Sequence, residues 1–84
     1  MMTTPRVLTM VERRVTASER AAFLGTLAAR RGAARMRRAN LWVFEHTDQP
    51  GWFIEFTEAA DAFDVAAVHE GALPAPLWRE VQGD

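Results

Sequence analysis

The segment from Asn40 to Thr57 constrains the fold most, because it reads as a β-hairpin that is apolar on both faces. Its loop contains Pro50-Gly51, the residue pair that a type II turn prefers. Because side chains alternate across a strand, one face carries Trp42, Phe44, His46, Trp52, Ile54 and Phe56. The other face carries Leu41, Val43, Glu45, Phe53, Glu55 and Thr57. An antiparallel sheet normally presents one face to water, so the second apolar face predicts cover by a partner subunit or a ligand.

The residues before the hairpin predict a strand followed by a helix. The strand spans residues 7–15, with apolar side chains on both sides. The capping box Thr16-Ala-Ser-Glu19 then begins the helix. Gly32 weakens a helix interior by about 1 kcal/mol, and we predict that the helix nevertheless continues to Met36.

The residues after the hairpin predict a second helix and a last strand. The helix runs from Glu58 to Glu70 with Gly71 as its C-terminal cap, and the strand spans Leu77 to Val81. The resulting strand-helix-strand-strand-helix-strand order is the split β-α-β, or ferredoxin-like, α+β fold, an antiparallel sheet with two helices on one face. We predict one such domain over residues 1–84.

The composition of the chain restricts the partners it can bind and the cellular compartment in which it is expected. The chain has 84 residues, no cysteine and a formal net charge of −1, which excludes a disulfide framework and argues against a general polyanion binder. We therefore predict no nucleic-acid partner. No apolar run approaches the ~20 residues of a membrane span, and Met1 to Arg6 lacks the apolar core of a signal peptide. We predict a cytoplasmic protein without membrane association.

The helices are expected to cover the more aromatic hairpin face, because each fully buried large apolar side chain contributes about 1.5–3 kcal/mol. On the first helix, Phe23, Leu24, Leu27 and Ala28 form the apolar stripe, and Arg20, Arg30 and Arg31 turn to solvent. The open face then carries five candidate ligand-binding residues. Glu45, Glu55 and Thr57 orient the ligand, with Val43 and Phe53 as the apolar wall.

Glu45 and Glu55 are the strongest candidates for chemistry on that face. If they lie nearly opposite each other inside a barrel, their repulsion raises one pKa and provides a general acid or base. The alternative is a structural pair balanced by Arg13, Arg79 or a partner subunit, and we favour it because structural networks also perturb titration. The spacing of these carboxylates with Glu12 matches no recognised metal motif, so we predict no metal site.

Two histidines and an arginine cluster have plain structural interpretations. His46 is interpreted as a rim residue with one hydrogen-bonded ring nitrogen. His69 lies near the end of the second helix, where a protonated imidazole suits the helix dipole. The arginines between positions 30 and 38 are interpreted as a solvated helix end, with an anion-binding or acidic-partner patch as the alternative.

Four features together resemble the dimeric α+β barrel superfamily, in particular its antibiotic-biosynthesis monooxygenase-like branch. They are Val15, Phe23, the strand Leu41-Trp-Val-Phe-Glu45 and the segment Glu55-Phe-Thr-Glu-Ala-Ala-Asp-Ala-Phe63. The resemblance covers nearly the whole chain. It implies a homodimer whose two sheets face each other to close a barrel, with a pocket between each sheet and its helices or within the barrel. If the chain is an enzyme, the resemblance implies cofactor-independent, monooxygenase-like chemistry.

The sequence departs from the haem-degrading members of that superfamily. Those members carry an asparagine on the first strand, a tryptophan at the end of the third and a histidine on the second helix. The matching places here fall near Val11, Thr57 and Ala66 or Ala67. We therefore expect neither haem degradation nor any other cofactor.

Phe53-Ile-Glu-Phe56 imitates the third-strand signature of the RNA-recognition motif. The first strand supplies no aromatic side chain, Gly51 replaces a stacking ring and Glu55 would place negative charge on the platform, so we set this resemblance aside. The leading hypothesis is a homodimer that binds or transforms a small, partly apolar molecule on the open sheet face. The alternative is a non-enzymatic homodimeric interaction or regulatory module whose side chains fill the barrel.

Overall fold

A four-stranded antiparallel sheet and two helices form the fold in a computed structural model that describes residues 5–81. The strands are β1 (Val7–Arg14), β2 (Asn40–Glu45), β3 (Trp52–Ala59) and β4 (Leu77–Arg79). The helices are α1 (Arg20–Met36) and α2 (Ala62–Val68). The strand order is β2-β3-β1-β4, which is compatible with the ferredoxin-like arrangement. The predicted domain also includes residues 1–4 and 82–84, which lie outside the described residues.

The first helix begins and ends where the sequence places it. The capping box is present, with the Glu19 carboxylate accepting the backbone N–H of Thr16 at 2.9 Å. A single 3-10 turn, Ala17–Glu19, precedes α1. The helix continues through Gly32 to Met36 as predicted. Its length allows it to reach across β2 and contact α2 as well.

The second helix is shorter than predicted. Glu58 and Ala59 extend β3, and α2 begins only after Asp61, whose side chain accepts the backbone N–H of Asp64 at 2.9 Å. Aspartate is among the preferred N-cap residues. The prediction that Glu58 lies in the first turn of α2 was therefore wrong, because Asp61, three residues later, is the residue that caps the helix N-terminus. The last strand also ends earlier than predicted, at Arg79.

The hairpin turn has the predicted Pro50-Gly51 geometry. Gly51 has a φ of +88°, and the backbone N–H of Trp52 hydrogen-bonds to the carbonyl of Gln49 at 3.3 Å. The Gly51 carbonyl also accepts the backbone N–H of Val15 at 2.7 Å. A Cβ atom at position 51 would lie 2.2 Å from the Val15 carbonyl oxygen. Only glycine fits at this position. The hydrogen bond from Val15 then holds the turn against the residue that follows β1.

The helices cover the sheet face that the sequence analysis predicted to be open, and the predicted covered face is open. Both helices pack on one face, here called the covered face, where Phe53, Glu55 and Thr57 are buried. It comprises Val7, Thr9, Val11, Arg13, Leu41, Val43, Glu45, Phe53, Glu55, Thr57 and Ala59. The opposite, open face comprises Leu8, Met10, Glu12, Arg14, Trp42, Phe44, Trp52, Ile54, Phe56, Glu58 and Trp78.

The prediction that the helices cover Trp42, Phe44, Trp52, Ile54 and Phe56 was wrong, and the inner side of α1 supplies the physical reason. Leu27 and Ala34 are buried there, and Arg30 lies between them at helical spacing. Arg30 therefore points inward, where a carboxylate must meet it. The covered face provides Glu55, whose two carboxylate oxygens both accept hydrogen bonds from Arg30.

Candidate functional site

The five predicted ligand-binding residues all lie on the covered face. Phe53, Glu55 and Thr57 are buried, and Val43 and Glu45 are half-buried. The Phe53 ring packs against that of Phe23 on α1, with 4.7 Å between the ring centroids. The expectation that these residues line an open face was wrong, since the helices and their arginines cover them. Ligand binding by these residues stays a prediction.

Glu55 is the centre of a buried ionic cluster. The residue is 1% exposed and lies between two arginines. Arg13 Nε donates a hydrogen bond to Glu55 Oε1, and Arg30 Nη1 donates to both carboxylate oxygens at 3.0 and 2.9 Å. These contacts correspond to the structural alternative, with Arg30 in place of the proposed Arg79. The Glu55 carboxylate on β3 thus links to Arg13 on β1 and to Arg30 on α1.

Glu45 has its own cation and does not pair with Glu55. In the hairpin register, Glu45 lies opposite Phe53, and Glu55 lies opposite Val43. Arg20 donates to both oxygens of Glu45 at 2.7 and 2.8 Å, and the backbone N–H of Gly51 donates to it at 2.9 Å. These hydrogen bonds, that of Arg20 first, lower the pKa of Glu45 to about 2. Glu45 is thus ionised at neutral pH, so the raised pKa that an enclosed Glu45–Glu55 pair would produce does not fall on Glu45.

Thr57 and His69 form a buried hydrogen bond beside this cluster. The Thr57 Oγ1 atom and the His69 Nε2 atom lie 2.7 Å apart. Burial lowers the pKa of His69 below its ordinary value, and the positive charge of Arg30 acts in the same direction. The folded protein therefore favours the neutral imidazole of His69. His69 is the C-cap residue of α2, which ends at Val68 rather than at the predicted Glu70. It lies near the helix end as predicted, but its burial disfavours the protonated state that would suit the helix dipole.

His46 lies at the rim of the sheet and agrees with its structural interpretation. Its Nδ1 atom accepts the backbone N–H groups of Asp48 and Gln49 at 3.0 and 3.1 Å. Its ring stacks on Trp52 at 4.8 Å with an interplanar angle of 4°. The other side of Trp52 is covered by the guanidinium of Arg14 at 3.8 Å, and its indole N–H donates to Glu12 at 2.6 Å. This end of the open face is a fixed polar rim.

The centre of the open face is aromatic and exposed. Trp42, Phe56 and Met10 form one row across three strands, since Phe56 pairs with both of the others in register. Phe44 lies in the next row, and its ring contacts that of Phe56 edge-on at 6.0 Å. The exposed fractions are 47% for Trp42, 59% for Phe44 and 47% for Met10. Large contiguous apolar patches are typical of interaction surfaces and of ligand-binding grooves.

A trough crosses the far end of the open face, and we call it the Trp42–Trp78 trough. It has a volume of about 340 Å³, with the two indoles as walls and with Leu8 and Glu58 among its lining residues. Glu58 accepts Arg6 Nε at 2.6 Å and Nη2 at 2.8 Å. The hydrogen bond from Arg6 holds the pKa of Glu58 below its usual range, so this pair is ionised and mutually satisfied.

The arginine cluster does not behave as one unit. Arg30 turns inward to Glu55, so its predicted solvent position was wrong. Arg37 lies over the ring of Phe63 at 5.3 Å and 3.6 Å from a carboxylate oxygen of Asp64. Arg31, Arg35 and Arg38 are exposed, as a solvated helix end predicts.

The signals for the missed residues were present in the sequence. Leu27, Arg30 and Ala34 recur at helical spacing, which places Arg30 on the inner side of α1. A buried arginine requires a carboxylate, and that requirement would have assigned the covered face to Glu55. Trp78 has no such signal, because its face follows from the register of Leu8 with Trp78.

Three searches of the chain gave no match. Among residues 5–81, no group of three or more histidine, cysteine or acidic side chains is arranged to bind a metal ion. Within the same residues, neither helix combines the length and apolarity needed to cross a membrane. Comparison of the chain with models of known families, with curated proteins and with solved structures found no match.

Proposed function

We propose that the protein is a homodimer whose two open faces pack together, and that the dimer binds a small, partly apolar molecule in the Trp42–Trp78 trough. The observation that carries the proposal is the exposed aromatic centre of the open face. Pairing of two such faces is also the arrangement that the sequence resemblance to dimeric α+β barrels implies.

The distribution of polar groups supports a second copy as the partner. The aromatic centre is flanked by the Arg6–Glu58 pair at one end and by Glu12 with Arg14 at the other. Each end thus carries both signs of charge, so the face is complementary to itself. An apolar centre with a polar rim is the usual anatomy of a protein interface. In a two-fold dimer the same patch serves on both subunits.

The size of the open face also supports dimerisation. Strands β1 to β4 contain 8, 6, 8 and 3 residues. At about 4.8 Å between strands and ~3.3 Å per residue, they give a face of roughly 400 Å² in projection. Side-chain relief increases the accessible area beyond this. The result is of the order of the ~800 Å² that each partner contributes to a standard interface.

The trough supports the small-molecule part of the proposal. A volume of about 340 Å³ lies at the lower end of the range for ligand pockets, which is ~300–1,000 Å³. Two indole walls favour a flat apolar ligand. Arg6 and Glu58 already satisfy each other, and the other two charged lining residues, Arg79 and Glu80, are of opposite sign. An uncharged ligand therefore fits better than an ion. A cofactor-independent reaction on such a ligand is the enzymatic form of the proposal.

A second candidate function is favoured by the large side chains of the open face. Trp42, Phe44 and Met10 of each subunit meet across the proposed barrel, and they would fill much of its interior. A filled barrel would make the protein a non-enzymatic homodimeric interaction or regulatory module. The two candidates share the dimer and differ only in whether the trough stays empty for a ligand.

Sedimentation of the wild type and of Phe44→Glu tests the dimer. Phe44 is exposed in the single chain, so the substitution leaves the monomer folded but places a charge in the proposed interface. We expect a dimer for the wild type at micromolar concentration and a folded monomer for the variant. Met36→Glu is the matched control, since Met36 is 85% exposed on α1, and it should remain dimeric. A monomeric wild type would overturn the proposal.

Val43→Glu and Phe53→Glu, which the sequence alone suggests for this test, place the charge under the helices instead. They are expected to unfold the chain, so loss of the dimer in these variants would carry no information about the interface.

Titration with N-phenyl-1-naphthylamine, an uncharged aromatic fluorophore, separates the two functions. The ligand-binding dimer should take up one molecule per subunit, and Trp78→Ala should abolish this uptake without dissociating the dimer. A dimeric wild type that shows no saturable uptake would leave the filled-barrel module as the function. A second titration with a fluorescent oligouridine tests for nucleic-acid binding, and we expect none.

A further inference from the structure

The end of α2 is attached to the sheet through one side-chain hydrogen bond. Among residues 5–81, the bond between the Thr57 hydroxyl and His69 Nε2 is the only side-chain hydrogen bond that joins α2 or its C-cap to a strand. The other polar contacts of the helix are the Asp61 cap and the pairing of Asp64 with Arg37 of the segment that follows α1. His69 is 6% exposed and Thr57 is fully buried, so this bond holds the C-terminal end of α2 against β3 away from water.

The rest of α2 gives this end little stability of its own. The helix has seven residues, and helices shorter than about 12–15 residues are marginal in water without tertiary packing. Val65 and Val68 are buried and supply that packing, whereas Phe63 is 70% exposed. Directly after His69, Glu70 has a positive φ of 61°, so the helix stops there. Residues 65–71 thus form a short segment whose packing on the sheet depends on His69.

Charged groups on three elements face the His69 ring. Arg30 of α1 and Arg13 of β1 oppose a positive charge on the imidazole, whereas Glu55 of β3 and the neighbouring Glu70 favour one. The Glu55 carboxylate already accepts hydrogen bonds from both arginines. Burial, together with the charge of Arg30, holds the pKa of His69 below its ordinary value. The imidazole therefore gains a proton more readily once it leaves this environment.

The strip of sheet under α2 carries a further buried polar group. Thr9 lies directly opposite Thr57 in the register of β1 and β3, and α2 contacts both strands. Thr9 is fully buried, and its hydroxyl has no hydrogen-bond partner among residues 5–81. A buried hydroxyl without a partner has lost its hydration without compensation. Opening of α2 restores that hydration, so Thr9 favours the open form as His69 does.

We infer that His69 is a pH-sensitive switch: below neutral pH, its protonation releases residues 65–71 from the sheet while α1 and the strands keep their packing. The released segment uncovers Thr9 and Thr57 on the covered face. That face is on the opposite side of the sheet from the proposed dimer contact, so the inference does not depend on the proposed function.

The contacts of α1 explain why it stays in place. The ring contact between Phe23 and Phe53 and the ion pair between Arg30 and Glu55 do not include His69. Carboxylates ordinarily titrate below about pH 5. The ion pair therefore persists through the range in which a histidine gains a proton.

Amide hydrogen exchange at low urea concentrations tests the switch. The reporters are the backbone N–H groups of His69 and Gly71, which donate to the Ala66 carbonyl at 3.0 and 2.8 Å. Exchange through local opening changes little with urea, whereas exchange through global unfolding accelerates with it. We expect both reporters to exchange faster than the amides around Leu27 in α1, and without dependence on urea. Lowering the pH from about 7.5 to about 5.5 should increase their opening about tenfold after correction for the intrinsic exchange rate, since the open segment takes up a proton near pH 6.5.

Two variants assign the pH effect to one ring. His69→Gln keeps a side chain that can hydrogen-bond to Thr57 but does not titrate, so the pH effect on opening should disappear even if the segment opens more often at every pH. His46→Gln is the matched control and should keep the full tenfold effect, because His46 lies at the rim of the sheet. The comparison of α2 with α1 in the wild type needs no variant, so it decides the matter if His69→Gln does not fold.

Three results would overturn the switch. One is a reporter that exchanges at the same rate and with the same urea dependence as α1, which would mean that α2 opens only when the whole chain unfolds. Another is opening that does not increase as the pH falls. The last is a pH effect that survives in a folded His69→Gln variant.

Discussion

At the scale of single residues, Arg30 determines which face of the sheet packs against α1. Its guanidinium lies on the inner side of α1, with Leu27 one turn before it and Ala34 one turn after it. Burial of that charge is costly unless a carboxylate meets it. Glu55 meets it, and Arg13 approaches the same carboxylate from β1. The sequence named Arg13 among the cations that would balance Glu45 and Glu55 but assigned Arg30 to solvent, because arginines on a surface helix usually lie there.

Glu55→Gln should destabilise the fold strongly. The amide keeps the shape of the side chain but removes the charge, which leaves Arg30, whose side chain is only 12% exposed, without a counterion. Breaking a buried ion pair on one side costs about 3–5 kcal/mol. Urea unfolding at neutral pH measures the difference in the free energy of unfolding.

Glu45→Gln is the matched control, since Glu45 lies on the same face and also pairs with an arginine, but Arg20 is exposed. The control should cost clearly less, because an exposed guanidinium regains water. A second variant, Glu55→Leu with Arg30→Met, should recover part of the lost stability by removing both charges. Equal losses for Glu55→Gln and Glu45→Gln would contradict the buried cluster.

His69 should make the protein less stable as the pH falls below neutrality. Burial lowers its pKa in the folded state, whereas the unfolded chain takes up a proton near pH 6.5. The unfolded state therefore binds more protons below that pH, so the stability is fully present above pH 6.5 and decreases as the pH falls. Melting curves between about pH 7.5 and 5.5, above the range in which carboxylates titrate, should show this decrease. His69→Gln should flatten it, and His46→Gln should leave it unchanged.

At the scale of elements, the order of strands and helices was predictable because local signals marked most boundaries. The capping box at Thr16 and Glu19 preceded the first helix, and Pro50-Gly51 formed the expected turn. The boundary between β3 and α2 was missed because Glu58 and Asp61 both suit a helix N-terminus. Pairing of Glu58 with Leu8 and Asn40 keeps it in the sheet, and such pairing is not visible in the local sequence.

Two glycine substitutions should have opposite effects. Gly51→Ala forces a Cβ atom against the Val15 carbonyl oxygen at 2.2 Å and keeps a positive φ, so it should cost about 1–3 kcal/mol. Gly25→Ala lies within α1 with no atom within 4 Å of its Cβ, and it should stabilise the protein by about 0.5–1 kcal/mol. Thermal melts of the two variants against the wild type measure both signs. A neutral Gly51→Ala would show that the turn can leave β1 without loss.

At the scale of the whole molecule, the sequence predicted that both sheet faces would need cover but could not say which face the helices take. Both faces are apolar, so the alternation of side chains gives no preference. The helices pack on the face with Glu55 and Thr57, because Arg30 of α1 hydrogen-bonds to Glu55 and His69 at the end of α2 hydrogen-bonds to Thr57. The aromatic face was left open, which moved the candidate ligand site from Glu55 to the Trp42–Trp78 trough.

The stability of the molecule should depend on its concentration. A chain that packs its aromatic face only in the dimer gains stability by mass action, and a hundredfold change in concentration is equivalent to about 2.7 kcal/mol. For a dimer of this size, dilution from about 100 to 1 μM should lower Tm by about 5–10 °C. Phe44→Glu, as a folded monomer, should melt at one temperature across the series, and Met36→Glu should follow the wild type. A wild-type Tm that does not change with concentration, together with a monomeric sedimentation coefficient, would mean that the exposed aromatic face has another partner than a second copy of the chain.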